Sequence, residues 1–119
     1  MLDLKHKKLD VWKLSIELVK LIYEITSKFP PTEIYGLSNQ LRRASVSFSS
    51  NIAEGAARNS VLERRRFYEI SRSSLVEIDT QIEIAISLNF IKSENTKEIE
   101  VLCDRLFRMT SKLISSTEK

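Results

Sequence analysis

The chain has 119 residues, 42% of them apolar and 29% charged, which suits one soluble globular domain with a formal net charge of +3. Two glycines and two prolines are too few for the many tight turns of a β-sandwich or barrel, so long helices joined by few loops are expected. No apolar run reaches the ~18 residues of a membrane span, and the polar N-terminus lacks the apolar stretch of a signal peptide.

Residues 1–8 read as a flexible leader, with His6 among Lys5, Lys7 and Lys8. A first helix is predicted from about Leu9 to Phe29. Val11, Leu14, Leu18, Leu21/Ile22, Ile25 and Phe29 recur at three- and four-residue steps. Trp12, Ile16, Val19 and Tyr23 widen the apolar face beyond what one partner helix covers. Pro30-Pro31 stops it, because proline lacks the N–H and restrains the residue before it. A second helix, from Glu33 or Leu37 to Ala57, carries a stripe of Leu37, Leu41, Ala44, Phe48 and Ile52. Four serines between Ser45 and Ser50 give it poor intrinsic helicity, so tertiary packing must hold it. Its small side chains let neighbouring backbones approach.

After a short break at Arg58-Asn59-Ser60, Ser60 and Glu63 form a capping box that starts a third helix, Val61 to about Leu88. Phe67, Ile70, Ser74, Ile78, Ile82 and Ala85 make its stripe, and at 1.5 Å per residue it is about 40 Å long. Asn89 is placed as a left-handed cap. Ser93 caps a fourth helix, in which Ile99, Leu102, Leu106, Met109 and Leu113 follow a 3-4 rhythm to about Ser115, with 116–119 frayed. Four amphipathic helices with short connections predict an all-α fold: a single antiparallel up-down-up-down four-helix bundle over 1–119.

Charge is concentrated in the middle of the chain. Residues 36–75 hold seven arginines, Arg42, Arg43, Arg58, Arg64, Arg65, Arg66 and Arg72, against Glu54, Glu63 and Glu69. Arginine is suited to forked contacts with carboxylate or phosphate. Antiparallel helices folding back near residue 59 put Arg42 level with Glu77, Glu54 level with Arg65 and Asn51 near Tyr68. An ion pair between Arg42 or Arg43 and Glu77 is expected, within a structural polar network of Arg42, Arg43, Asn51, Glu54 and Glu77, because half-buried charges persist when paired.

Five segments of this pattern carry a resemblance. They are Leu9-Asp10-Val11-Trp12-Lys13, Phe29-Pro30, Gly36-Leu37-Ser38-Asn39-Gln40-Leu41-Arg42-Arg43-Ala44, Ser47-Phe48-Ser49-Ser50-Asn51-Ile52-Ala53-Glu54-Gly55, and Ser74-Leu75-Val76-Glu77-Ile78-Asp79-Thr80-Gln81. In order and spacing over residues 9 to 92 the chain resembles the bacterial 23S rRNA intervening-sequence proteins. The resemblance implies a four-helix bundle assembled into a ring-shaped homopentamer, without enzymatic activity. A related branch, the accessory proteins of diversity-generating retroelements, engages nucleic acid and a reverse transcriptase, which makes RNA or DNA and such an enzyme expected partners. Where the family carries a Gly-Ser pair, this chain has Ser73-Ser74, and the added β-carbon is expected to change helix spacing modestly.

Two functional readings follow. In the first, Arg58, Arg64, Arg65 and Arg66 around one tight turn, with Arg42, Arg43 and Arg72, form a phosphate-binding surface for RNA or DNA, with the N-terminal lysines as an added basic arm. Phe67 and Tyr68 are too few for a single-strand stacking platform near that turn, so phosphate contacts dominate. In the second, the chain is a self-assembling scaffold or protein-interaction module, with the Trp12–Tyr23 flank or a Ser45, Ser49, Ile52 stripe as its seams. No catalytic residue, metal ligand set or cofactor is expected. The one histidine, His6, leaves Glu54 and Glu77 without the Glu-x-x-His pairs of di-iron bundles. Cys103 has no disulfide or zinc partner and apolar neighbours at Ile99 and Phe107, so it reads as a buried or half-buried thiol in a reducing, cytoplasmic setting.

Overall fold

The first helix stops at Thr26, short of the expected Phe29 and ahead of Pro30-Pro31, and in the computed structural model, which describes residues 1–117, four α-helices account for most of the chain. They are α1 (Asp10–Thr26), α2 (Leu37–Ala57), α3 (Val61–Ser87) and α4 (Lys97–Ser116). Short 3-10 turns at Lys5–Lys8, Pro31–Tyr35 and Ser93–Thr96 precede α1, α2 and α4. No strand occurs among the described residues. Of the tail expected to fray, Ser116 closes α4 and Thr117 caps it; 118–119 lie outside the described residues.

Local chemistry sets the helix ends. The Ser60 hydroxyl accepts from the Glu63 N–H at 3.3 Å, which satisfies one free donor of the first turn of α3. At the other end Asn89 takes φ 61°. The Phe90 N–H then reaches the Ala85 carbonyl at 2.9 Å and the Asn89 N–H reaches Ile86 at 3.0 Å, the paired bonds of a Schellman motif. This turn carries the Phe90 ring to 5.7 Å from Phe29 at the end of α1.

Each helix packs on its sequence neighbours, and α4 closes against α1. Facing residues run in opposite directions along α1–α2 and along α2–α3, and α3 folds back on α4 through a short connection. Ser49 meets Ser15 and Arg42 meets Thr26; Phe48 meets Ser71 and Ser47 meets Ser74; Arg72 meets Ser111. The result is an up-down-up-down bundle of 45 × 27 × 19 Å. Leu18, Ile22, Leu41, Phe48, Ile52, Ile78 and Leu106 are fully buried on its axis.

The interior differs from a plain leucine bundle because many buried side chains are hydroxyls. Ser49 donates to Ser15 at 2.7 Å, and Ser15 donates onward to the Trp12 carbonyl. Ser71 donates to the Phe48 carbonyl at 2.9 Å, Ser45 to Arg42, Thr26 to Ile22 and Thr110 to Leu106. Each pairing avoids the cost of burying a lone polar group, about 1–3 kcal/mol. Ser45, Ser49 and Ile52, candidates for a seam between copies, are buried inside the subunit.

The face of α3 departs from expectation over its first turns. Phe67 is half-buried and Ile70 exposed, while Tyr68 and Ser71 point inward. Gly55 is the reason. Its bare backbone admits the Tyr68 ring, and a Cβ there would lie 2.6 Å from Tyr68 Cε1. Ser73 is exposed and bonds back to the Glu69 carbonyl, so its β-carbon meets no close helix within the subunit; Ser74 is the buried member of the pair.

Candidate functional site

The α2–α3 turn gathers the expected arginines, but they do different work. Arg64 Nη1 donates to the carbonyls of Asn59 at 2.8 Å and Arg58 at 3.2 Å, the orphan acceptors just past the end of α2. A cation there also complements the negative end of the helix dipole. Arg58 pairs with Glu54 at 3.1 Å and lies 4.8 Å over the Phe67 ring. Glu54 thus bonds within its own helix, one turn back from Arg58. Arg65 is half-buried, whereas Arg66 is exposed and makes no hydrogen bond or ion pair among the described residues.

The N-terminal lysines arrive at the same pole. The Lys5–Lys8 turn packs against α2, and His6 meets Trp12 edge-on with ring centroids 4.9 Å apart. Lys5 and His6 face Arg58 and Asn59 across a groove of about 540 Å³ floored by Ala53 and Ala57. Among the described residues Glu54 is the one carboxylate that lines it. The opposite pole is acidic by contrast, with Glu24, Glu94 and Glu98 lining the cleft beside the α3–α4 connection together with Lys28 and Lys92.

The remaining arginines are dispersed. Arg72 donates to Ser111 Oγ at 3.1 Å and lies 5.7 Å over Phe107, on the α3–α4 side. Arg42 does not meet Glu77 within the subunit. Its Nε donates to Thr26 Oγ1 at 2.9 Å and its guanidinium lies 4.6 Å over the Tyr23 ring, so the side chain leaves α2 toward α1 rather than α3. Equal helix rise gives the height of a residue but not the direction in which it points. Arg43 and Glu77 do border one groove, along with Gln81, without an ion pair among the described residues. Asn51 stays near its own helix, donating to the Ser47 carbonyl at 2.9 Å and to Ser47 Oγ at 3.1 Å; Ser74 donates to the same Ser47 hydroxyl from α3.

A family model described as 23S rRNA-intervening sequence protein matches residues 7–112, nearly the whole bundle. The chain belongs to this family. No curated protein matches it. Within this 23S rRNA-intervening sequence protein no group of three or more His, Cys, Asp or Glu side chains is placed to hold a metal ion among the described residues. No helix among them is long and apolar enough to cross a membrane. Cys103 is half-buried in α4, its thiol pushed up to about 12 by desolvation and secondarily by Asp79, which leaves it a poor nucleophile.

One grouping in this family member escaped the sequence reading. Tyr35, Ile34 and Tyr23 come together with Asn39, Arg42 and Arg43 around a groove of about 560 Å³ at the α1–α2 connection. The arginines were visible in the sequence, but Tyr23 lies on the other side of the Pro30-Pro31 break, and Ile34 and Tyr35 sit in the connection that follows it. The one available signal was the run Ile34-Tyr35-Gly36, two large apolar residues in a segment with no helical stripe to join.

Proposed function

We propose that this 23S rRNA-intervening sequence protein is a non-enzymatic homo-oligomer, a pentameric ring, that binds RNA or DNA through its basic pole. The observation that carries the reading is the meeting of Lys5 and His6 with Arg58 at one groove, next to the turn that holds Arg64, Arg65 and Arg66. Two segments more than 40 residues apart supply positive charge to one surface. Because Arg58 and Arg64 are partly engaged inside the subunit, Arg66 and the lysines carry most of the phosphate contact. Such contacts position a duplex without reading its sequence. A ring would multiply the charge of each pole on one face.

Exposed Leu62 (78%), Val76 (55%) and Val101 (70%) support association of copies, since the bundle leaves them uncovered. They also support the second reading, a self-assembling scaffold with no nucleic-acid role. Filter binding of a structured RNA across a salt series separates the two. Phosphate contact requires affinity to fall steeply with salt and Arg66→Glu to weaken it at every RNA sequence. A flat salt response with an intact oligomer in sedimentation would leave the scaffold reading alone.

A further inference from the structure

We infer that the groove at the α1–α2 connection is a second nucleic-acid site, one that holds an unpaired nucleotide by stacking its base on Tyr35. The inference extends the nucleic-acid reading above to a different surface and a different form of the ligand, single-stranded rather than duplex.

Tyr35 is 90% exposed, the most uncovered ring in the chain. It is not loosely hung. The Pro31–Tyr35 turn is closed by Glu33 N–H to Pro30 at 2.9 Å and Gly36 N–H to Glu33 at 2.9 Å, and the Glu33 carboxylate accepts from the Leu37 N–H at 3.0 Å. At Gly36 an added Cβ would lie 2.7 Å from the Glu33 carboxylate oxygen, the far end of a side chain that would have to shift from the Leu37 N–H to admit it. A rigid turn that presents an aromatic face to water is arranged for a ligand with a face of its own.

The charges agree. Arg42 and Arg43 line the groove and no carboxylate among the described residues does. Glu33, the nearest acid in sequence, is committed to capping α2, and Glu77 lines the neighbouring groove on the far side of Arg43. Arg42 is held in place by Thr26 and the Tyr23 ring through its Nε and its face, and its terminal amino groups make no hydrogen bond among the described residues. Arg43 makes none at all among them. One anchored and one exposed guanidinium group beside a free ring match an anionic strand with a base out of its helix: stacking for the base, forked contacts for its phosphates. Asn39, with both a donor and an acceptor, also lines the groove. The sixteen residue steps from Arg42 along α2 to its cap Arg58 put this site ~24 Å from the basic pole, while three stacked nucleotides cover only ~10 Å.

The test uses two probes on the full chain. The first is an RNA trinucleotide with 2-aminopurine at its centre, followed by fluorescence quenching. The second is a blunt-ended RNA duplex, followed by filter binding. The trinucleotide binds and is quenched; Tyr35→Ala weakens it about tenfold, in line with the loss of one stacked base, Tyr35→Trp retains it, and Arg43→Glu abolishes it. None of these changes moves duplex binding, which responds to Arg66→Glu. Trinucleotide binding that ignores Tyr35→Ala, or no trinucleotide binding while the duplex still binds, overturns the second site and leaves the basic pole standing. Duplex binding absent with the trinucleotide retained does the reverse. Sedimentation of Tyr35→Ala completes the test: a collapse of the oligomer with no trinucleotide bound to the parent chain would assign the groove to contact between copies.

Discussion

Gly55 of α2 and Tyr68 of α3 are in such close contact that a single added methyl would lie 2.6 Å from one ring carbon and 2.9 Å from the next. Tyr68 is buried and cannot swing aside, and Phe67 Cβ closes the site at 3.1 Å. Gly55→Ala therefore sets a helix-propensity gain of about 1 kcal/mol against overpacking of about 1–3 kcal/mol. The clash wins, because the atoms met belong to a fixed ring. Thermal unfolding should show a lower midpoint, and Tyr68→Leu in the Gly55→Ala background should recover part of the loss. A Gly55→Ala variant that melts at or above the parent would refute the packing.

Arg42 and Glu77 should behave differently on mutation. Arg42→Lys forfeits both the Thr26 bond and the planar contact with Tyr23, at a cost of about 1 kcal/mol. Glu77→Leu should leave the melting midpoint unchanged, since Glu77 is exposed and has no ion pair among the described residues. Denaturant titrations of the two variants check this, and a larger loss in Glu77→Leu would restore the expected α2–α3 charge network.

Arg64 and Arg66 lie two positions apart on α3, and Arg64 has the structural role. Arg64→Ala frees the carbonyls of Arg58 and Asn59 and should lower stability by about 0.5–1 kcal/mol. Arg66→Glu should leave stability alone and weaken RNA binding with a smaller salt slope. Chemical denaturation and filter binding on both variants separate a cap from a phosphate contact.

The Cys103 thiol gives an alkaline signature. Burial, then Asp79, pushes it up to about 12 from an ordinary value of 9.0. Between those values the unfolded chain has lost a proton that the folded chain keeps, so stability must fall as pH rises from about 9. Urea titrations at pH 8 and at pH 10.5 should show a loss that is smaller in Cys103→Ala. Iodoacetamide at pH 8 should modify Cys103 slowly in the folded chain and quickly in urea.

Much of this fold was legible because its punctuation is local. Pro30-Pro31, the Ser60–Glu63 box and Asn89 each act within a few residues, and the ends of α1 and α3 fall close to them. The inward turn of Tyr68 was not legible, since it depends on a glycine in another helix. Arg42 was assigned the wrong neighbour for a related reason: register along a helix pair is written in residue counts, whereas the direction of a side chain around the helix is decided by what each face meets. The pole shared by Lys5 and Arg58 and the groove of Tyr23, Tyr35 and Arg42 both join segments that only the folded chain brings together.

The hydroxyl contacts Ser49–Ser15, Ser71–Phe48 carbonyl and Ser74–Ser47 pin α2 to both neighbours within a single turn, at positions 47–49. Sliding α2 by a turn would pull Ser49 and Ser71 off their partners in a waterless interior, while Ser74 would keep its bond to the Ile70 carbonyl of its own helix. A push delivered at one end is therefore not absorbed by shear between the rods. It passes along the length as through a stiff strut, and two distant ends joined in this way keep a constant separation whatever is bound at either.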